Sequence, residues 1–410
     1  MTFIKTNAPH MRTKRSTFGI MIELTIALLV LYISAVAYNF IQRGANYGVH
    51  ALLIGILAVV TALVCDAVRY LPKVIKSKNV KEYISDIGHS YSYVTALILA
   101  MLLPVGTSYY VVVVCTLISV VVAKYLFGGF GYNPFNPAVV GRVFAQLCFS
   151  GKLKNYLGSN PGSTIQTGAS ITSTMQSLGW VTTQYDISLV DTILGNYAGT
   201  LGETFAFIIV ILGVYLAIRN VIDWRISVTY VLTIFVTCLV IGFAGGLGVN
   251  SFEWAFRQIL IGGVLFGAVF CLTDPVTSPT NQAGKVIFAL FAAFVTVAIR
   301  YQASAPEGVA YSILFANLVT PAINLVLKGK SNSLKWQKFT AMGVLLVCSL
   351  VFGLVFGLNH KVSNESEKEL VFEIGSNSSN ESENTNLTNT TETVSYVSEM
   401  PSDIYIEGGF

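Results

Sequence analysis

The stretch TGASITS, Thr167 to Ser173, sets four hydroxyls among small residues in a polar segment midway along an apolar chain. Such a cluster is either plain loop or a set of acceptors to which a group can be attached. A second constellation is GYNPFNP, with Asn133 and Asn136 three residues apart. Each amide offers a donor and an acceptor to a polar ring edge. The same side chains also cap helix starts well, so both readings stand. Carboxylates inside apolar runs form a third set: Glu23, Asp66 and Asp274. At membrane depth a carboxylate can hold Na+ through its hard oxygens or relay a proton. The structural alternatives are an ion pair of Asp66 with Arg69, one turn on, and an Asp274 cap on a helix opening after Pro275.

These residues must be positioned by elements that lie in lipid. Of 410 residues, 53% are hydrophobic and 11% charged, and the mean hydropathy is +0.65. A soluble domain carries about 25% charged residues, so most of this chain needs a bilayer as solvent. Apolar runs recur near 18–40, 48–70, 88–104, 107–127, 136–150, 203–219, 226–247, 254–272, 286–302, 306–328 and 335–358. They predict an all-α polytopic membrane protein of ten or eleven transmembrane helices. The first run is too long for a signal-peptide core and reads as a retained span. Basic residues cluster at 5–15, at Lys73, Lys76, Lys78 and Lys81, at Arg219 and Arg225, and at Lys328, Lys330, Lys335 and Lys338. With eleven crossings all four clusters fall on one face, which the positive-inside rule makes cytoplasmic. The expected plan is a cytoplasmic N-terminus (1–17), a membrane domain (18–328) carrying an extracytoplasmic loop (151–202), a further transmembrane helix (329–358) and a disordered extracytoplasmic tail (359–410). The tail is polar, acidic and too poor in large apolar residues to offset chain entropy.

An internal echo points to a repeat. YLFGGFGYNPFNPAVVGRVF and LFGAVFCLTDPVTSPTNQAGKVIF each end an apolar run with Gly-Phe and place two prolines beside Asn or Asp. A further apolar run with a Gly and a basic residue follows. Helices cannot pass through such segments, and unwound backbone at membrane depth borders protein or a water-filled cavity. Other chemistries lack their residues. There is no GxGxxG or Walker A sequence and no CxxC, and no basic stripe for nucleic acid; the six cysteines stand singly in or beside apolar runs. On these features alone, a broken-helix channel or transporter also fits.

GGFGYNPFNPAVVGRVF, LTDPVTSPTNQAGKVIF and PEGVAYSILFANLVTPAIN together resemble one membrane-protein family. It comprises the D component of the Rnf complex (ferredoxin:NAD oxidoreductase) and the B component of the sodium-pumping NADH:quinone oxidoreductase. The resemblance spans about 18 to 328 and leans to the Rnf branch. It implies FMN joined by a phosphoester to a hydroxyl closing a Ser/Thr-Gly-Ala-Thr motif. That position is Ser170 here, preceded by Thr167, Gly168 and Ala169, with Thr172 as the alternative attachment point. It also implies a second, non-covalent flavin, riboflavin in the sodium-pump branch, near Asn133 and Asn136. Arg142 and Lys285 would then steady a flavin or its phosphate, or else serve as interfacial cations at helix starts. Asp66 and Asp274 become ion-path candidates, although the sodium-pump branch has an acid where Asn324 stands. The implied partners are the other subunits of an electron-transfer complex, a flavin transferase and the lipid of a bacterial plasma membrane. The implied activity is that of one subunit in a redox-driven Na+ or H+ translocase. An electron-transfer anchor for extracellular acceptors, without ion pumping, is the variant reading.

Overall fold

A computed structural model describes residues 16–153, 181, 188–195, 197, 199–203, 205–302, 308–327 and 335–360. Among these residues no strand forms; a single antiparallel bridge joins Pro104 and Thr200. Each apolar run becomes helix. The helices are α1 (Thr17–Tyr38), α2 (Ala45–Ser77), α3 (Val80–Ser90), α4 (Ser92–Leu102), α5 (Tyr109–Leu117), α6 (Pro137–Phe149), α7 (Leu189–Leu194), α8 (Ala206–Ile218), α9 (Trp224–Ala244), α10 (Ser251–Leu260), α11 (Val264–Phe266), α12 (Gln282–Gln302), α13 (Gly308–Leu327) and α14 (Lys335–Asn359). The last turns of three of them widen: π-helical stretches Asn39–Arg43, Ile118–Tyr125 and Gly267–Cys271 continue α1, α5 and α11.

Six described helices are long and apolar enough to cross a bilayer alone, and a bent pair adds a seventh candidate. The remaining runs form shorter helices, such as the 11 residues of α4 and the 13 of α6 and α8. The run expected as one span near 254–272 is the bent pair: α10 and α11 meet at 59°. The hinge is Gly262–Gly263, with φ of +69° and +71°, a left-handed conformation that side chains resist.

The two echoed sequences lie in matching structural contexts. In the first, α4 ends, a break at 103–108 follows, and α5 runs into a π stretch before the Asn/Pro loop 126–136 and α6. In the second, α10 ends, the Gly262–Gly263 break follows, and α11 runs into a π stretch before the Asp/Pro loop 272–281 and α12. Broken helices leave carbonyls without intrahelical partners. Basic side chains supply the donors here. Arg300 donates to the carbonyls of Gln258 (2.8 Å), Ile261 (3.3 Å) and Gly262 (3.4 Å). Arg69 donates to those of Tyr125 (3.4 Å) and Gly128 (3.2 Å).

Tyr197 and Leu201 tie to the two breaks. Leu201 donates its amide to the Leu103 carbonyl (3.2 Å), and the Tyr197 hydroxyl donates to the Leu260 carbonyl (3.1 Å). Arg43 in turn donates to the Tyr197 carbonyl (2.6 Å).

Candidate functional site

The Asn/Pro and Asp/Pro loops converge on one cavity. Its walls are α1 (Ile20, Met21, Leu24), the α3–α4 joint and α4 (Tyr91, Val94, Thr95, Ile98), and both loops. The cavity volume is about 60 Å³, and about 690 Å³ is reached only when the open solvent at its mouth is counted. Apolar and aromatic groups dominate the lining, with Thr95, Lys124, Asn133, Asn136, Thr273 and Asp274 as the polar ones. A cavity with few convergent polar groups is the usual form of a small-molecule site.

The structure separates the two asparagines. Asn136 caps α6: its Oδ1 accepts from the Ala138 amide (3.1 Å), ahead of Pro137 at the first helical position. Its Nδ2 donates across the fold to the Cys271 carbonyl (3.1 Å), tying one echoed segment to the other. Both ends of that amide are committed to the fold. Asn133 donates Nδ2 to the Phe135 carbonyl (3.0 Å) and makes no hydrogen bond through Oδ1 among the described residues, although the residue is 5% exposed and lines the cavity.

Asp274 does not open a helix, which corrects the expected cap. Its carboxylate accepts from the Val276 amide (3.1 Å) and the Thr277 hydroxyl (3.4 Å) in a turn. Ser278–Pro279 then bars helical backbone, since the residue before proline is pushed out of the α region. The helix begins instead at Gln282, where Asn281 Oδ1 accepts from the Ala283 amide (2.9 Å). Asp274 stays at the cavity wall.

Asp66 is fully buried, and its expected ion pair with Arg69 does not form; Arg69 lies over the Tyr125 ring (4.1 Å) and on the carbonyls already named. Asp66 Oδ2 accepts from the Ser90 hydroxyl, while Oδ1 is buried without a hydrogen-bond partner. Beside it stands Lys124, 1% exposed, on the π stretch after α5. Its Nζ donates to the Ser90 carbonyl (2.5 Å) and to Ser92 Oγ (3.1 Å). Lys124 also lines the cavity, so it joins the cavity to the Asp66 cluster. The sequence offered no signal for it: a lysine at the end of an apolar run ordinarily snorkels to the interface.

The other candidates lie apart from the cavity. Lys285 pairs with Asp223 (2.7 Å), which caps α9 through the Arg225 amide (3.0 Å). Burial raises the Asp223 carboxyl, but the Lys285 ammonium and the Arg225 amide outweigh it and hold the group below its ordinary range. Arg142 is buried on α6 and donates to Gln146 (3.0 Å). Glu23 pairs with Arg219 (2.8 Å). Thr167, Gly168, Ala169, Ser170 and Thr172 lie outside the described residues.

The sequence profile of the NQR2, RnfD, RnfE family matches residues 4–332. The chain belongs to that family. Similar proteins include the D component of the proton-translocating ferredoxin:NAD(+) oxidoreductase complex of Clostridium ljungdahlii. It is 30% identical, and the match covers 78% of this chain and 93% of the relative. The D component of the Na(+)-translocating ferredoxin:NAD(+) oxidoreductase complex of Acetobacterium woodii is also 30% identical, over 77% and 91%. The D component of the ion-translocating oxidoreductase complex of Haemophilus influenzae is 25% identical over 78% and 95%. The family match stops before α14.

Proposed function

We propose that this protein is the flavin-carrying membrane subunit of an ion-translocating electron-transfer complex of the Rnf type. FMN is esterified through its phosphate to the Ser170 hydroxyl, by a flavin transferase acting on the extracytoplasmic side, and the N-terminus lies in the cytoplasm. Bound flavin supplies reversible electron transfer; the chain's own residues position it and set the charge around it. The family match over residues 4–332 supports this reading, because it includes the TGAS stretch.

The cavity is the seat of the second, non-covalent flavin. Its residues fit the edge of such a ring. Asn133 Oδ1 is an acceptor without a partner among the described residues, Lys124 is a donor, and Tyr91, Phe130 and Phe270 provide aromatic walls. Asn136 does not contact the ligand through its amide; it holds the wall in place.

The observation that carries this function is the family membership over residues 4–332, combined with a cavity built from both echoed loops. Co-expression with a flavin transferase, followed by denaturing electrophoresis, tests it. The wild-type band should fluoresce yellow-green, Ser170→Ala should be dark, and Thr172→Ala should stay bright. A dark wild-type band would contradict the flavin assignment.

A further inference from the structure

We propose that the Lys124 ammonium is a tethered counter-cation that keeps a solute monovalent cation off Asp66, and that it yields this position when negative charge enters the neighbouring cavity. The proposal deepens the function above, since the cavity's redox ligand is the source of that charge.

Lys124 occupies a place built for a hard cation. The Ser90 carbonyl and the Ser92 hydroxyl bind its Nζ. The Ser90 hydroxyl bonds Asp66 Oδ2, and the Ser92 hydroxyl also bonds the Tyr125 hydroxyl (3.0 Å). Oxygens of these types are the ligands small hard cations prefer. The remaining carboxylate oxygen, Asp66 Oδ1, is buried without a partner, and Asp66 as a whole is 0% exposed. An orphaned carboxylate oxygen at that depth costs free energy until a cation or a proton reaches it.

The groups facing Lys124 set its choices. Asp66 and Arg69 come from α2, Ser90, Tyr91 and Ser92 from the α3–α4 joint, Tyr125 from its own segment, Phe130 from the Asn/Pro loop and Asp274 from the Asp/Pro loop. Arg69 is held by the Tyr125 and Gly128 carbonyls and the Tyr125 ring, so Lys124 is the cation hydrogen-bonded within the Asp66 cluster. On the cavity side Lys124 shares the lining with Asp274 and Asn133 and lies 5.8 Å from the Phe130 ring centre. A flexible four-carbon stem on a π stretch lets one ammonium serve either side. Negative charge in the cavity draws the ammonium over. Asp66 then lacks its counter-charge and takes up one solute cation, Na+ or H+. Uptake of Na+ changes no covalent bond, uptake of H+ forms an O–H bond on Asp66 with a proton given up by solvent, and in both cases the net charge of the Asp66 cluster is conserved.

The test uses the full chain in nanodiscs, free of flavin, with two readouts. One is binding of radioactive Na+; the other is the infrared band of protonated carboxyl across pH. The wild type should bind Na+ weakly and show no Asp66 carboxyl band at neutral pH. Lys124→Met should bind one Na+ about tenfold tighter or more, or show the protonated band, the first identifying Na+ and the second a proton. Either gain should vanish when Asp66→Asn is added. Lys124→Arg keeps the charge and should behave as wild type. Asn133→Asp adds charge to the cavity wall with Lys124 still present and should reproduce the Asp66-dependent gain. A Lys124→Met protein with neither gain overturns the proposal, as does an Asn133→Asp protein that behaves as wild type. No flavin enters these assays, so a chain that passes them yet carries no flavin contradicts the proposed function alone.

Discussion

Replacing Asn136 with alanine removes two hydrogen bonds with different consequences. Loss of the Oδ1 bond to the Ala138 amide uncaps α6, at a cost of about 1 kcal/mol. Loss of the Nδ2 bond leaves the buried Cys271 carbonyl without its cross-fold donor, at about 1–3 kcal/mol. The sum is about 2–4 kcal/mol, large beside the stability of most folded chains. Asn133→Ala removes only the bond to the Phe135 carbonyl two residues away, so its cost should be about 1 kcal/mol or less. Detergent-solubilised protein titrated with SDS and followed by helix signal should therefore unfold much earlier for Asn136→Ala than for Asn133→Ala. Retention of added riboflavin, measured by fluorescence on the folded proteins, should show the opposite order. Equal destabilisation, or a larger loss of riboflavin for Asn136→Ala at matched folded fraction, would refute the division of roles between the two amides.

The Asp223 carboxyl is held below its ordinary value of 3.8, so its pair with Lys285 contributes stability present above about pH 4 and lost as pH falls through the lowered value. Lys285→Met should lower stability at neutral pH and flatten the acid limb of the stability–pH curve. On α14, a Cβ at Gly357 would meet the Ile241 carbonyl at 2.6 Å, whereas one at Gly343 meets nothing within 4 Å. Gly357→Val should cost about 1–3 kcal/mol in the same SDS titration, while Gly343→Val stays within about 1 kcal/mol of wild type.

Much of the membrane architecture was legible because span-length apolarity is a local signal. Every apolar run became helix, and both Pro-containing loops fell where prolines and glycines forbid helix. The bend at Gly262–Gly263 was hidden within a continuous apolar run; hydropathy does not register a change of backbone handedness. The residues of the cavity were only partly legible. Asn133 and Asn136 share a residue type and a motif, and their different partners are fixed by Cys271, far away in sequence. Asp66 and Arg69 have the spacing of a helical ion pair, yet Arg69 is claimed by the carbonyls that close the π stretch. Lys124 looks like an interfacial residue until α2 and the α3–α4 joint enclose it. Two relatives at 30% identity carry names with different ions, proton and Na+, so overall similarity leaves the coupling ion to be decided by local groups such as these.

Trypsin should release residues 155–219 as one peptide, since no Lys or Arg lies between Lys154 and Arg219. Mass mapping of that peptide, from protein matured with a flavin transferase, addresses the flavin assignment at its source. The peptide should carry an added FMN phosphoryl group, with fragment ions that locate it on Ser170. An unmodified peptide from fully matured protein would contradict it.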